Sequence, residues 1–531
     1  MQKRFVILVI FCLISWDWAS QCGFSVLAQQ PKHSGSARIL AKQGTCNPED
    51  LYDSVQVDTT RHFRVIYTQK GPHAVIGADS VTFARPPYID TLMRWLEAAY
   101  TLEVDSIGMR APQGPEVSYH YHDHRFSDKF PVEIIDIDLL RDTWNIFESG
   151  ICGECYGLTY PDAYDPTKST LFIDNDFLYQ NRNDPLSTYT TPSGGTCSYS
   201  PSTQKITTTR NGKLLDYTQD WATALRITAF HELYHTTQLR YQDYNKQYHF
   251  WFEASAVGVE ELGAPDVNDY WQYLPPIFSS PQTSLLDVSS NGGLHPYGEG
   301  VFYQYLEHRF GLHFDPPLWE RLSKAPTRDI SLHFDDYFNS LNIDDGFPGV
   351  FADFSRHLAF SGSRSKLMPA DSIWAQDLPF WPELATTVYD SGQLPSAPFS
   401  FRLFLLSANL VDWIPSASSG LHKQILSLND TSYALVSTGF ASASSNAPAN
   451  MAIAFPNPWR GTGILHFQLS TDDLSLEIRD ASGQIITILN RSLGQALFDF
   501  DGQIHQKALA PGLYYWRGLS EKRLHRFLVV R

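Results

Sequence analysis

Two histidines one helical turn apart, with a glutamate beside the first, are the residues of this sequence best suited to chemistry. They are His231, Glu232 and His235, within the stretch HELYH. On a helix, residues i and i+4 share one face, with Cβ atoms roughly 5–6 Å apart. Two imidazoles at that spacing can bind one zinc ion, because Zn–N bonds are about 2.0–2.1 Å long. Glu232 points away from the ion but can act on a water molecule beside it as general base.

A catalytic zinc site needs a third protein ligand, and the residues downstream offer three candidates. Glu253 follows two aromatic residues in WFEASA, where a buried carboxylate would need a strong reason such as coordination. We therefore predict Glu253 as the ligand, with His249 and Asp243 as alternatives. Glu260 lies further along the same predicted helix and is predicted to accept the Nδ1 proton of a ligand histidine.

Other polar residues suit supporting roles. Tyr297 is predicted to donate a hydrogen bond to the oxyanion of a reacting carbonyl, with His295 and His249 as alternatives. Simple packing would also explain all three. Asp174 and Asp176 offer oxygen ligands for calcium, although acidic residues at the end of a strand often occupy turns without an ion.

Helices and strands must position these residues, and the spacing of apolar residues predicts where the helices and strands lie. Residues 221–241 and 251–262 have the apolar content of two buried helices, and 296–311 predicts a third that ends at Gly311. Residues 169–177, STLFIDNDF, read as a buried strand. We predict that this strand is the edge at which an extended peptide substrate pairs.

The composition limits the class of protein. The chain has 531 residues, 43% hydrophobic and 18% charged, which indicates a globular protein of two to four domains. A net charge of -17 argues against a nucleic-acid partner. Lys3 and Arg4 precede a short apolar run, so residues 1–28 are predicted to be a secretory signal peptide and 29–60 a leader or short pro-segment. No transmembrane segment is predicted in the mature chain.

Four cysteines follow the predicted signal peptide: Cys46, Cys152, Cys155 and Cys197. An exported chain with an even number of cysteines is expected to form disulfides, and three pairings are open. The CxxC spacing of Cys152 and Cys155 has no second copy that would suggest a zinc ribbon.

The predicted fold class is an α+β zincin-like catalytic domain at 61–385, followed by two β-sandwich-like modules. The first is a small β module at 388–441. After a linker rich in serine and alanine, residues 451–531 alternate apolar and polar residues between turns, which predicts an Ig-like β-sandwich.

The motifs FIDNDF, HELYH, WFEASA and PYGEGVFYQYL together resemble the gluzincin branch of HExxH metallopeptidases, and in particular a group of secreted bacterial metalloproteases. The resemblance covers roughly residues 60–380. It implies a zinc-dependent endopeptidase that holds one catalytic zinc ion and hydrolyses a protein or peptide substrate. His231, His235 and Glu253 match the family's ligands, and Glu232 matches its base.

The stretches FPNPWRGTGILHFQL, LEIRDASGQIITIL and LAPGLYYWRGL resemble the C-terminal sorting domain of type IX secretion cargo. This resemblance implies recognition by outer-membrane secretion machinery and a secreted or cell-surface protein.

Two other functions are compatible with the sequence. The first is a surface binding or adhesion protein whose zincin-like body has lost activity, although the retained Glu232 argues against it. The second is a zinc aminopeptidase, which would need an acidic anchor for the substrate's amino terminus, and no such motif precedes HELYH.

Overall fold

The computed structural model describes the larger part of the chain. The predicted signal peptide, nearly all of the leader before Cys46, Cys152, and the linker at 441–450 lie outside the described residues. The described residues are 46, 48–78, 85–139, 155–180, 184–210, 213–244, 246–343, 345–367, 375–388, 394–395, 397–405, 421–428, 431–440, 453–455, 465–468, 475–490, 498–501, 503–504, 507–519 and 525–529.

The chain divides into two compact units, Met1–Phe440 and Ala441–Arg531. All residues of the predicted metal site belong to the first unit, and the predicted sorting domain belongs to the second. In the described part of the chain, no helix is long and apolar enough to cross a membrane.

A five-stranded sheet in the order β1-β2-β3-β5-β4 forms one wall of the first unit. Its strands are β1 Gln56–Thr59, β2 Phe63–Tyr67, β3 Phe130–Ile135, β4 Gly157–Pro161 and β5 Ser169–Asp174. β2, β3 and β5 run parallel, whereas β1 and β4 pair antiparallel at the two edges. Every residue of β3 and β5 is buried, as expected for interior strands of a parallel sheet.

The prediction that residues 169–177 form the sheet edge is wrong. β5 pairs with β3 on one side and with β4 on the other, so its backbone hydrogen-bonding groups are already used. The edge strand is β4, with a register that runs from Gly157↔Ile173 to Pro161↔Ser169.

Helices complete the first unit. They are α1 Pro87–Tyr100 with a π-helical extension Thr101–Ile107, α2 Trp221–Leu239, α3 His249–Gly263, α4 Leu274–Ser279, α5 His295–Gly298, α6 Gly300–Phe310, α7 Asp315–Lys324, α8 Ile330–Ser340 and α9 Gly346–Leu358. Short 3₁₀ helices lie at Pro48–Leu51, Lys246–Tyr248, Asp269–Tyr273, Asn291–Gly293, Leu312–Phe314, Gly362–Leu367 and Leu378–Phe380.

α2 is the central helix, and it is buried because two hydrophobic cores meet on it. Leu225 and Leu233 pack in the core formed with the five-stranded sheet and α1. Tyr234 and Leu239 pack in a second core, formed with α3 and the helices after it. Apolar residues therefore occur on all sides of α2, as expected for a helix in a protein interior.

Three pairs of short antiparallel strands follow β5 in the sequence and precede α2. β6 Leu178–Gln180 pairs with β9 Ser202–Lys205, β7 Ser187–Thr190 with β8 Thr196–Tyr199, and β10 Thr207–Arg210 with β11 Lys213–Asp216. A disulfide joins Cys46 to Cys197 on β8. Cys155 is also disulfide-bonded.

The predicted β module at 388–441 contributes a sheet to the first unit. Its strands, in the order β12-β13-β15-β14, are β12 Thr386–Val388, β13 Phe401–Leu405, β14 Leu421–Leu428 and β15 Thr431–Thr438. Phe401 and Leu435 belong to the same hydrophobic core as Phe351 of α9. The sheet therefore packs on the helices.

The second unit consists of two main sheets, β16-β17-β20 and β19-β18-β23-β24, and a short pair β21-β22. The strands are β16 Ile453–Phe455, β17 Leu465–Gln468, β18 Ser475–Arg479, β19 Ile485–Asn490, β20 Phe498–Phe500, β21 Gln503–Ile504, β22 Lys507–Ala508, β23 Gly512–Gly518 and β24 His525–Val529. Phe467 and Phe498 from the first sheet share one core with Trp516 and Phe527 from the second. The two sheets thus pack face to face.

Candidate metal centre

The two histidines of α2 direct their Nε2 atoms toward each other. These nitrogens lie 3.0 Å apart, and the rings are nearly perpendicular, with centroids 4.7 Å apart. Both residues are buried: His231 is 6% exposed and His235 is fully enclosed. The helical spacing seen in the sequence thus brings two nitrogen donors to one point inside the protein.

Glu253 reaches the same point from α3. Its Oε2 atom lies 3.5 Å from His231 Nε2 and 3.5 Å from His235 Nε2. The side chain is fully buried, and among the described residues neither carboxylate oxygen has a hydrogen-bond partner. Burial would raise the pKa of Glu253, but His235 and His231 outweigh it, and the pKa lies well below its usual range. The carboxylate is therefore ionised and faces the two imidazoles.

The three donor atoms fit a zinc ion. In a tetrahedral site with bonds of about 2.0–2.1 Å, neighbouring ligand atoms lie about 3.3 Å apart. The observed separations are 3.0, 3.5 and 3.5 Å. A buried carboxylate without hydrogen bonds is costly unless something else compensates its charge, and a bound cation would do so. Two imidazoles and one carboxylate are also a donor set that zinc favours.

A second layer of residues fixes the orientation of both imidazoles. His231 Nδ1 lies 2.5 Å from Glu260 Oε1, so the structure brings together the pair predicted from the sequence. His235 Nδ1 lies 2.7 Å from the amide oxygen of Gln238, whose amide nitrogen donates to Ser255 Oγ and to the Phe252 carbonyl. Each Nδ1 thus has an acceptor, which leaves Nε2 to face the metal position. Sequence reasoning missed Gln238, although its position three residues after His235 on one helix was an available signal.

The predicted base, Glu232, contacts the edge strand of the sheet. Thr159 Oγ1 on β4 lies 2.8 Å from Glu232 Oε2 and 2.8 Å from the Glu232 carbonyl oxygen. Close approach of strand and helix requires Gly157, because a Cβ atom there would lie 2.6 Å from Thr228 Cγ2 and 2.7 Å from Glu232 Cγ. The sequence provides no local signal for this contact, since Thr159 precedes Glu232 by 73 residues.

A small cavity opens beside His231 and Glu232. Tyr297 lies on its wall, with its ring parallel to that of His231 and the centroids 6.1 Å apart. The lining residues are Tyr156, Ile227, Thr228, His231, Glu232, Glu260, Asp269, Tyr273 and Tyr297. Of the three predicted oxyanion donors, Tyr297 is the one on this wall.

The alternative site residues lie elsewhere. His295 Nε2 lies 2.9 Å from the Ser284 carbonyl oxygen and 3.2 Å from Glu299 Oε1, beside a separate cavity. His249 Nδ1 lies 3.8 Å from Glu253 Oε1, behind the ligand carboxylate. Asp243 is exposed.

Of the aspartates considered for calcium, Asp174 ends β5 beside Ile135 at the end of β3, and Asp176 follows two residues later. Asp174 accepts hydrogen bonds from the backbone nitrogens of Asp176, Phe177 and Ile137. Burial raises the pKa of Asp176 to about 6. The Asp174 carboxylate therefore shapes the turn after β5, and calcium binding stays a prediction.

Comparison with known proteins adds little to this picture. No protein-family model and no curated protein matches the chain. A solved structure that matches part of it is that of PorZ, described as an essential bacterial surface component of the type-IX secretion system of Porphyromonas gingivalis. The two are 17% identical over 25% of this chain and 17% of that chain, with a TM-score of 0.14. So limited a likeness assigns neither fold nor activity.

Proposed function

We propose that this protein is a zinc-dependent endopeptidase. The observation that carries the proposal is the convergence of His231, His235 and Glu253 at 3.0–3.5 Å. Glu232 lines the same cavity as His231. Zinc bound there supplies Lewis acidity toward a carbonyl oxygen and toward water.

Side chains of the protein would carry out proton transfer, positioning and stabilisation of the oxyanion. Glu232 accepts a proton from the attacking water and later delivers it to the leaving amine. Thr159, 2.8 Å from Glu232 Oε2, holds that carboxylate against the edge strand. Tyr297 is a candidate to donate a hydrogen bond to the oxyanion, because it lies on the wall of the cavity beside His231.

The edge strand β4 gives an extended peptide a place to bind. β4 pairs with β5 on one side, and its other side borders no strand in the described part of the sheet. A substrate strand added there would gain backbone hydrogen bonds and pass close to Glu232, which Thr159 of β4 contacts. This strand takes the role that the sequence had suggested for residues 169–177.

Export is part of the proposal. The predicted signal peptide at 1–28 would direct the chain across the inner membrane, and the likeness of residues 451–531 to type IX sorting domains supports passage across the outer membrane. The mature protein would then act outside the cell or at its surface.

Replacement of the base tests the catalytic assignment. Glu232→Gln keeps the size of the side chain but removes its ability to accept a proton, so hydrolysis of a casein or peptide mixture should fall by about 10²–10⁴-fold. Zinc content, measured by mass spectrometry of the purified protein, should stay at about one ion per chain because the ligands are intact. Wild-type protein treated with a chelator is the matched control. Full activity in the zinc-loaded variant would refute the role of Glu232.

A further inference from the structure

We infer that Asp315, the first residue of α7, is a positioning residue for the metal centre. Its carboxylate joins α2 to α3 and so sets the separation between His235 and Glu253, which those two helices carry. The inference rests on the proposed function, because it takes these residues as zinc ligands, and it adds a residue that determines their geometry.

The carboxylate of Asp315 accepts hydrogen bonds from both ligand helices. Tyr234 of α2 donates its hydroxyl to Asp315 Oδ2, and Trp251 of α3 donates its Nε1–H to Oδ1 at an N–O distance of 3.1 Å. Tyr234 immediately precedes His235, and Trp251 lies two residues before Glu253. A shift of either helix would therefore move a zinc ligand and a partner of Asp315 together.

These contacts lie on helix faces that the zinc ligands do not use. Successive residues of a helix are rotated by about 100°, so Tyr234 is turned by about 100° from His235, and Trp251 by about 200° from Glu253. Both side chains point into the hydrophobic core that α3 forms with the later helices. On the side of the ligands, Gln238 already joins the imidazole of His235 to α3. The two helices are therefore joined at two separate places.

The carboxylate lies in a fully enclosed, aromatic part of the core. Asp315, Tyr234 and Trp251 are fully buried, and so is Trp319 of α7, which donates its Nε1–H to Asp315 Oδ2 at 3.1 Å. Tyr303 of α6 packs against Tyr234 and Trp251, with ring centroids 6.4 and 5.8 Å apart. Such close packing restricts the movement of the three donors, so their hydrogen bonds define one arrangement of the helices.

Stability alone does not explain a carboxylate at this position. Removing a carboxylate from water is costly, and apolar side chains of similar volume often stabilise a protein core as well or better. An apolar side chain cannot, however, accept directional hydrogen bonds from three donors. One placement of the Asp315 carboxylate satisfies Tyr234, Trp251 and Trp319 together. Its particular contribution is therefore a fixed geometry.

Asp315→Asn tests the inference. The amide keeps one acceptor oxygen, and in either orientation its NH₂ group faces the N–H of Trp251 or of Trp319, so at least one of these hydrogen bonds is lost. We expect zinc affinity, measured by competition with a chromogenic chelator, to fall roughly tenfold or more. The absorption spectrum of the cobalt-substituted protein should also change, because it reports the arrangement of the ligands around the ion.

A matched pair of tyrosines separates positioning from stability. Tyr234→Phe deletes only the hydroxyl that donates to Asp315, so it should also lower zinc affinity and alter the cobalt spectrum. Tyr305→Phe deletes the hydroxyl that donates to Asp353 at 2.6 Å. Tyr305 and Asp353 lie on α6 and α9, which carry none of the three proposed ligands. This control should lower the free energy of unfolding but leave zinc affinity and the cobalt spectrum unchanged.

The outcomes separate this inference from the function on which it rests. Unchanged zinc affinity and an unchanged cobalt spectrum in Asp315→Asn and Tyr234→Phe would overturn the positioning role. An equal loss of affinity in Tyr305→Phe would overturn it too, because affinity would then follow stability. If Asp315→Asn does not fold, the comparison of Tyr234→Phe with Tyr305→Phe decides. Zinc binding without peptide hydrolysis in the wild type would overturn the endopeptidase alone, and a wild type that binds no zinc would overturn both proposals.

Discussion

Glu253 is the ligand that distinguishes this site from a simple pair of helical histidines, and its removal should be the most informative single change at the metal centre. Glu253→Ala removes one of three donors, so we expect zinc affinity to fall by at least about 100-fold. The measurement is competition with a chromogenic chelator.

His249→Ala is the matched comparison for Glu253→Ala. His249 lies behind Glu253, 3.8 Å from its Oε1 atom, and so its loss should cost no more than about tenfold in zinc affinity. The reverse order, with zinc lost from His249→Ala and retained by Glu253→Ala, would make His249 the third ligand.

At the level of residues, the sequence predicts the site residues whose roles follow from helical spacing or from a known motif. His231, Glu232 and His235 share one helix. The sequence also predicts that Glu260 accepts a proton from a ligand imidazole, and in the structure Glu260 Oε1 lies 2.5 Å from His231 Nδ1. Thr159 could not be found in this way, because its contact with Glu232 depends on how a distant strand packs on the helix.

At the level of elements, the contact between β4 and α2 depends on the absence of a side chain at Gly157. A Cβ atom there would lie 2.6 Å from Thr228 Cγ2 and 2.7 Å from Glu232 Cγ, so Gly157→Ala must displace the strand or the base. We expect a loss of about 1–3 kcal/mol in the free energy of unfolding, together with reduced kcat. Urea denaturation and steady-state kinetics measure the two effects.

Gly195→Ala is the control for Gly157→Ala. Gly195 is exposed between β7 and β8, and a Cβ atom there would approach only Thr191 Oγ1, at 3.3 Å. Unchanged stability and kcat in Gly157→Ala would contradict the close packing of β4 on α2.

We predict that the stability of the protein depends on pH through Asp176, which lies just after β5. Burial raises the pKa of Asp176 from 3.8 to about 6, so the folded state favours its protonated form. Its contribution to stability is complete below pH 3.8 and is lost as the pH rises through about 6. When the pH rises from 4 to 7, the free energy of unfolding should therefore fall less in Asp176→Asn than in the wild type.

Urea unfolding in a chelator, which keeps calcium away, measures this difference. Asp105→Asn, at an exposed position on the π-helical extension of α1, should behave as the wild type does. An identical loss of stability in Asp176→Asn and in the wild type would show that Asp176 titrates in the same way in the folded and unfolded states.

The order of strands was the feature of the fold least accessible to sequence reasoning. Residues 169–177 were predicted as an edge, yet every residue of β5 is buried. Interior parallel strands are usually continuous apolar runs, but only three residues in the middle of β5, Leu171 to Ile173, are apolar, so the sequence carried this signal weakly. The antiparallel edge strand β4 is short, and its burial varies along its length, which left no comparable pattern.

At the level of the whole molecule, the two units have separate tasks in the proposed function. The metal ligands lie within Met1–Phe440, and the core around Trp516 lies within Ala441–Arg531. A chain that ends at Phe440 should therefore keep its zinc content and its peptidase activity within about twofold. It should fail to reach the medium when expressed in a host with type IX secretion, as measured by immunoblotting of cell and medium fractions. Normal export of the shortened chain would contradict the sorting role.

The disulfide between Cys46 and Cys197 closes a covalent loop that contains all five strands of the main sheet, with a sequence separation of 151 residues. The residues that would hold the ion fall outside this loop, in a single later segment. A thiol reductant should therefore leave metal binding unchanged. It would, however, remove the covalent link that closes the loop containing the main sheet, whose edge strand β4 is the proposed binding site for the substrate. If the chain is exported as proposed, this disulfide would form after export.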